Sequence, residues 1–403
     1  MNDSNLETDY LIIGAGVCGL TIARELNGRR PGAKITVIEK EPDVAYHSSG
    51  RNSGVLHAGF YYTADSLKAK FTREGNALMR KYCHDNHLRI NECKKAVVAM
   101  NEEELQSLYE LERRGKANGV DIRLITAEEL AEIDPNAVTY KYALWSPTTA
   151  TVDPVEVNQC IKNELLAKGV RIFFNEPYKK RIAGNTVKTA RYTITAGKII
   201  NAGGLYADKI AKDFGYSKNY TIIPFKGIYL KYKGTDKPIQ TNIYPVPNLK
   251  NPFLGVHYTI TVDNIIKIGP TSIPAFWREN YKGMSHFRFG ELCGILCREA
   301  QLFLHNSFGF RDLAFEEIKK YNRNYFTGLA TKMVKTIDKT GFKEWSKPGI
   351  RAQLLDVRTR ELVMDFVVEG DRDSVHVLNA VSPAFTGSMP FAEWVVDNCV
   401  EIS

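Results

Sequence analysis

The sequence predicts an α/β protein built from two domains, and three observations carry that prediction. The segment DYLIIG (9–14) is a short apolar, β-branched run, and GAGVCG then opens a stretch, LTIARELNGR, with helical spacing and a stop at Gly28. KITVIEK (34–40) is a second apolar run that ends at Glu39 and Lys40, so the first 40 residues read as strand, glycine turn, helix, strand. The third observation is a change of pattern: 222–270 is mostly strand-like and 286–337 mostly helical, which sets a mixed second domain, a largely antiparallel sheet plus helices, apart from the βαβ start. A length of 403 residues suits two or three domains with a sizeable core.

The remaining elements follow in order. HSSGRNSGVLHAGFYY (47–62) is polar and glycine-rich, and 66–87 has helical spacing. KKAVVAM (94–100) reads as a strand, 102–118 as a charged helix, and Thr126 with Glu129 as a capping box. Asp153, Pro154 and Glu156 start a helix that runs to about Lys168. GVRIFF is a strand, RIAGNTVK a hairpin turning at Gly184 and Asn185, and ARYTITAGKIINAGG ends in the pair Gly203 and Gly204. Strands return in IRAQLLD, ELVMDFVVEGD and VHVLNAV, and 385–402 reads as a closing helix. The expected partition is a discontinuous nucleotide-binding domain (1–85, 150–220 and 346–403) and a substrate domain (86–149 and 221–345).

Composition excludes several classes. With 44% hydrophobic and 25% charged residues the chain is neither disordered nor low-complexity. The net charge of +8 is a mild excess that allows an anionic substrate or membrane surface, and no nucleic-acid motif accompanies it. Seven cysteines without framework spacing suit a reducing compartment. Cys83, His84, His87 and Cys93 have metal-like types but no paired CxxC, so they read as a helix end and no metal is expected. The polar, acidic start MNDSNLETDY resembles neither a secretion signal nor a transit peptide, and no apolar run reaches membrane-spanning length. A cytoplasmic protein, with possible peripheral contact to the inner membrane, is the expectation.

Gly14-Ala15-Gly16-Val17-Cys18-Gly19 is a GxGxxG turn placed after a strand and before a helix, with Glu39 20 residues beyond Gly19 at the end of the next strand. Gly14 permits the tight turn, Gly16 lets a pyrophosphate approach the backbone, and Gly19 lets helix and strand pack closely. Glu39 suits ribose hydroxyls and disfavours a 2′-phosphate, which leaves NAD or FAD. The small polar stretch 47–54 can follow a long cofactor from its pyrophosphate toward a flavin ring, so FAD is the expected cofactor and the first domain a Rossmann-type FAD-binding domain.

At this point the chain resembles a known family. SSGRNSGVLHAGFYY, PFKGIYLKY, LGVHYTITVD, IGPTSIPAF, GIRAQLLD, FVVEGD and HVLNAVSPAFTGSMPFAEW occur in the order seen in the L-2-hydroxyglutarate oxidases and dehydrogenases, within the D-amino-acid-oxidase-like FAD enzymes. The resemblance covers essentially the whole chain. It implies noncovalent FAD, a two-domain fold, and oxidation of L-2-hydroxyglutarate to 2-oxoglutarate, with electrons passing to a quinone or to oxygen. The chain departs from the family's usual residues at Arg51 (usually His), Lys226 (usually Arg) and Thr271 (usually Asn). A different anionic 2-hydroxy or 2-amino acid is the alternative substrate, and a non-catalytic flavin-binding protein the alternative class. Residues expected on the cofactor are Gly14, Gly16, Val17, Cys18, Gly19, Glu39, Lys40, Ser49, Arg51, Asn52, Ser53, Gly54, Pro177, Gly203, Gly204, Pro383, Ala384, Phe385 and Thr386.

Oxidising a 2-hydroxy acid requires a base for the hydroxyl proton, a holder for the carboxylate, and a hydride acceptor. His57 in LHAGFYY is the expected base, with His257 in GVHYT as its competitor. Arg351 is the expected carboxylate holder, because a guanidinium grips a carboxylate at two points; a similarly placed Gly-x-Arg segment in the D-amino-acid-oxidase-like group resembles it. Tyr61, Lys226 and Thr271 are candidates for the second carboxylate. The start of the last helix is a candidate for stabilising negative charge on the reduced flavin. The aromatic and basic mix in 286–337 is a candidate membrane contact.

Overall fold

A computed structural model describes residues 4–247 and 254–400. The chain divides into two compact units. The first comprises Met1–Asn52, Pro154–Ile223 and Arg351–Ser403; the second comprises Ser53–Asp153 and Pro224–Ile350.

The first unit is built on one sheet. Its centre is β1 (Ser4–Ile13), which lies parallel to both β2 (Ile35–Ile38) and the long strand Tyr192–Asn201. Arg171–Phe173 extends the parallel run beyond β2, and Ser374–Asn379 pairs in parallel with the far end of the long strand. The hairpin Lys180–Ala183/Thr186–Lys188 adds the antiparallel edge, with Gly184 at φ +50° in its turn. β1 and β2 are near-continuous apolar runs because both faces are covered: Leu11, Ile12 and Val37 are fully buried. The helix α1 (Val17–Arg29) packs against helices Pro154–Ala167 and Ser388–Val395, and Arg24 pairs with Glu164 at 2.9 Å to tie two of them.

Among the described residues, the second unit holds two four-stranded sheets and one of three strands. One runs in the order Asn242–Pro245, Lys95–Val98, Tyr142–Ser146, Arg123–Thr126. Another is antiparallel: His257–Ile260, Ile266–Gly269, Leu230–Tyr232, Phe342–Trp345. The third pairs Val55–Leu56 and Ile90–Asn91 with Ala150–Val152. The first two of these sheets share a core that includes Val98, Ile243, Tyr258, Ile268, Phe326 and Phe342.

The structure corrects several sequence expectations. Residues 53–85 were expected in the nucleotide-binding domain but cluster with the second unit, because Val55–Leu56 pairs with Ala150–Val152 and Asn76 Nδ2, on helix Leu67–Asp85, donates to the Leu56, His57 and Thr148 carbonyls at 3.0–3.2 Å. The helical stretch 286–337 is three helices, Phe289–His305, Phe310–Lys319 and Arg323–Thr331, separated at the left-handed Asn306 and Gly309 and at a short turn. The closing helix begins at Ser388, not Phe385: residues 382–387 are turns, with Ala384 N–H bonded to Val381 O at 2.9 Å. Its expected end at Ile402 lies outside the described residues.

Candidate active site

The glycine turn in the first unit has the shape its spacing predicts. Gly14 sits at φ +105°, a region open to glycine, and a Cβ there would stand 2.6 Å from Ala202 O. A Cβ on Gly19 would stand 2.0 Å from Gly14 O, so helix and turn touch without room for a methyl group. Gly16 is the N-cap of α1 and caps it with no side chain of its own, and the first turn of this 13-residue helix carries no acidic residue. Ser49 Oγ accepts from Val17 N–H at 2.9 Å and so pins the 47–52 segment over the helix start. The glycine turn and the N-terminal end of α1, whose first turn carries no acidic residue, fit a dinucleotide pyrophosphate.

Glu39 has a second task. Its Oε2 accepts from Ala15 N–H at 2.8 Å and its Oε1 from Glu41 N–H at 3.0 Å, so the carboxylate expected at the ribose also braces the turn. Lys40 pairs with Glu41. Asn52 Nδ2 donates to the Ser48 and Ser49 carbonyls, and Arg51 Nε to Tyr46 O, so both order their own loop. Gly203 N–H bonds Asn201 Oδ1 at 3.0 Å, and Gly204 takes φ +53° just past the strand end. Cys18 lies in the first turn of α1, and Pro177 is half-buried between two edge strands. Pro383, Ala384 and Thr386 are buried in the turn before the last helix, and Phe385 is half-buried there. Ser53 and Gly54, expected beside these, fall in the second unit: Ser53 O accepts from Lys267 Nζ at 3.0 Å and Gly54 O from Val152 N–H at 2.9 Å.

The second unit brings both candidate bases into one buried cluster. His57 is 8% exposed and His257 3%. His257 stacks on Tyr244 with ring centroids 3.7 Å apart and planes 18° apart. Its Nδ1 lies 2.8 Å from Gly255 O, which assigns the proton to Nδ1 and leaves Nε2 as the accepting nitrogen. Burial, aided by the Lys95 charge, holds both imidazoles below the ordinary histidine value, His257 at about 3. Both are therefore neutral, the form that can take a proton.

Tyr61, a candidate substrate ligand, is buried with its hydroxyl unbonded among the described residues, and burial holds it well above the usual phenol value. Lys226 is half-buried and donates to Asn280 Oδ1 at 3.1 Å; burial lowers its ammonium. Thr271 donates its hydroxyl proton to Lys226 O at 3.0 Å and accepts from Ile228 N–H at 3.1 Å, so it ties backbone together. Arg351 belongs to the first unit, half-buried on the strand Gly349–Asp356.

Two residues escaped the sequence reading. Lys95 is fully buried, and its Nζ lies 4.9, 4.9 and 4.7 Å from the ring centroids of Phe60, Tyr61 and Tyr244. Lys267 is 9% exposed, with Nζ 4.6 Å from the Tyr229 ring. The available signal was a lysine inside an apolar strand run, in KAVV and in IKIG. The metal-like quartet is dispersed: Cys83 is buried on its helix, His84 faces Glu92, and Cys93 Sγ accepts from Asn242 Nδ2 at 3.1 Å.

A glycine turn, a ribose-side carboxylate and a parallel sheet define the first unit as a dinucleotide-binding domain, and the second unit buries two neutral imidazoles. The chain belongs to the family described as FAD dependent oxidoreductase, whose match spans residues 9–398. It is an FAD-dependent oxidoreductase. Among its relatives, the mitochondrial L-2-hydroxyglutarate dehydrogenase of Nematostella vectensis is 34% identical, with 98% of this chain and 90% of the relative covered. The L-2-hydroxyglutarate dehydrogenase of Escherichia coli K12 is 31% identical over 96% of this chain and 92% of its own. Among solved structures, the reduced, FAD-bound L-α-glycerophosphate oxidase of Mycoplasma pneumoniae superposes with a TM-score of 0.75 at 22% identity, covering 97% of this chain and 94% of that one. Glycine oxidase from Geobacillus kaustophilus follows at a TM-score of 0.69 and 18% identity, covering 98% and 94%. At those identities the likeness is one of fold.

Proposed function

We propose that this enzyme oxidises L-2-hydroxyglutarate to 2-oxoglutarate. The observation that carries the reading is the pair of buried, neutral imidazoles in a chain whose relatives at 31–34% identity are named L-2-hydroxyglutarate dehydrogenases. Gly14, Gly16, Gly19, Glu39 and Ser49 would hold FAD, which would supply the acceptor for the C2 hydride. The chain's own residues do the rest. His57 takes the hydroxyl proton, and His257, its ring locked by Tyr244 and Gly255, lies in the same cluster. In the second unit, Lys226 and Tyr61 meet the distal carboxylate, the group that separates this substrate from a monocarboxylic acid. The test is anaerobic addition of each enantiomer to the holoenzyme: the L form bleaches the flavin band and the D form does not. A band unmoved by the L form removes this substrate.

We also infer that electrons leave through a quinone at a membrane surface. No helix among the described residues is long and apolar enough to cross a membrane. Instead, Met284, Phe289, Leu304, Phe315, Ile318 and Tyr321 are exposed on 284–321, Phe289 and Leu304 at 70%, with exposed Arg288, Arg311 and Lys319 among them. That mixture suits the interface of an anionic bilayer. Sedimentation with vesicles of phosphatidylglycerol and phosphatidylcholine tests it; equal recovery with and without vesicles counts against it.

A further inference from the structure

The mechanism above makes no use of Lys95, yet its surroundings are unusual. A buried ammonium normally finds a carboxylate or a set of carbonyls, because desolvation is costly. Lys95 finds no hydrogen-bond acceptor among the described residues. It is held instead by ring faces, with Phe60, Tyr61 and Tyr244 each within 5 Å of Nζ. Cation–π attraction strengthens when the cation is desolvated. The cage is tied to both candidate bases. Phe60 and Tyr61 follow His57 by three and four residues, and the Tyr244 ring that caps Lys95 also stacks on His257 at 3.7 Å. The strand carrying Lys95 pairs with the strand carrying Tyr244, Asn242 opposite Lys95, which fixes the register.

We propose that Lys95 is a positioning residue for proton removal: its caged ammonium locks the Tyr244–His257 stack and keeps a fixed positive charge beside His57 and His257. The proposal rests on the function proposed above. A substrate with two carboxylates raises the proton affinity of any nearby imidazole, which would turn the base into its spent form. A buried cation opposes that effect and releases the proton again after each turnover. The other groups facing the cluster do not replace it. Lys267 and Lys320 act electrostatically on His257, whereas Lys95 acts on both His57 and His257; Lys320 is moreover paired with Glu317. Cys93 acts on Lys95 and Tyr244, and Tyr61 and Tyr244 are neutral phenols. Burial lowers the Lys95 ammonium to about 7, so the charge is half present there and near complete below about pH 6, where an imidazole most needs protection from protonation.

The experiment compares the FAD-loaded parent with Lys95→Met and Lys95→Arg. Anaerobic flavin reduction by L-2-hydroxyglutarate is followed in the stopped flow from about pH 6 to about pH 8.5. For the parent and Lys95→Arg the rate is level across that range. For Lys95→Met it falls toward the acid end, because the imidazole regains the part of its proton affinity that the Lys95 charge had removed while burial still holds the rest down. A purely structural lysine lowers the rate by one factor at every pH, and that result, or an unchanged profile, overturns the proposal. The second readout needs no substrate: histidine-labelled parent and variant are titrated by NMR, with His57 and His257 assigned through His57→Asn and His257→Asn. Lys95→Met raises the midpoint of at least one of the two, and coincident titrations overturn the proposal. If the NMR midpoint moves but L-2-hydroxyglutarate fails to bleach even the parent, the substrate assignment falls and the role of Lys95 stands. Should Lys95→Met not fold, Lys95→Gln removes the charge while keeping a polar end, and the same two outcomes apply.

Discussion

Adding one methyl group at Gly19 tests whether the glycine turn holds the cofactor. An alanine Cβ at this position would stand 2.0 Å from Gly14 O, 3.2 Å from Gly14 C and 3.3 Å from Ile12 Cγ2. Ordinary contact begins near 3.4 Å, so α1 and the turn must separate by about 1.4 Å. The obstructing atoms are backbone of the turn itself, fixed by Gly14 N–H to Ile38 O at 2.8 Å and by Ala15 N–H to Glu39. Overpacking of this kind costs about 1–3 kcal/mol. If that cost falls on the cofactor-bound geometry, FAD affinity drops roughly 5- to 150-fold. The assay is titration of the apoprotein with FAD, followed by quenching of flavin fluorescence. Gly28→Ala, in the same helix, is the control: nothing lies within 4 Å of the added Cβ, so it binds FAD as the parent does and gains up to about 1 kcal/mol of helix stability. The reasoning is refuted if Gly19→Ala binds FAD as tightly as the parent, or if Gly28→Ala weakens binding equally.

Further predictions concern other links of the account. Glu39→Gln places an amide N–H₂ among two backbone donors, and FAD affinity falls about tenfold or more in the same titration. Asn379 is fully buried, accepting from Leu354 N–H and donating to the Val363 and Asp365 carbonyls; Asn379→Ala orphans these groups, costs about 2–4 kcal/mol and lowers the melting temperature by several degrees. His57→Asn slows flavin reduction about 10²- to 10⁴-fold with the flavin spectrum intact, whereas reduction at the parent rate moves the base to His257. For pH, Lys95 and Lys267 titrate at about 7 and about 8 when folded, against roughly 10.4 in the unfolded chain. Between those values the unfolded chain binds more protons, so stability rises with pH; the urea midpoint is higher at about pH 8.5 than at about pH 6, and a falling midpoint contradicts the burial of these two lysines.

The nucleotide-binding half was legible because its requirements are local. A turn that needs φ +105° at Gly14 and no Cβ at Gly19 leaves a fixed spacing in the sequence, and two-sided burial of β1 and β2 leaves apolar runs. The site in the second unit depends on register between distant strands. Nothing near Lys95 in sequence shows that Tyr244, 149 positions on, will lie across it; that follows from the pairing of Lys95–Val98 with Asn242–Pro245. The same reason hid Thr271, whose hydroxyl reads as a ligand until its bonds to Lys226 O and Ile228 N–H are seen. Residues 53–85 cluster with the second unit through a two-residue strand pairing between segments far apart in the chain, which leaves no local pattern in the sequence.

The central claim is that the chain moves a hydride from C2 of L-2-hydroxyglutarate while an imidazole takes the hydroxyl proton. The most direct measurement is the rate of flavin reduction in a single turnover with substrate carrying deuterium at C2. The account predicts reduction by both isotopologues, slowed severalfold by deuterium in the parent. Equal rates for the two, or no reduction by either, would contradict it.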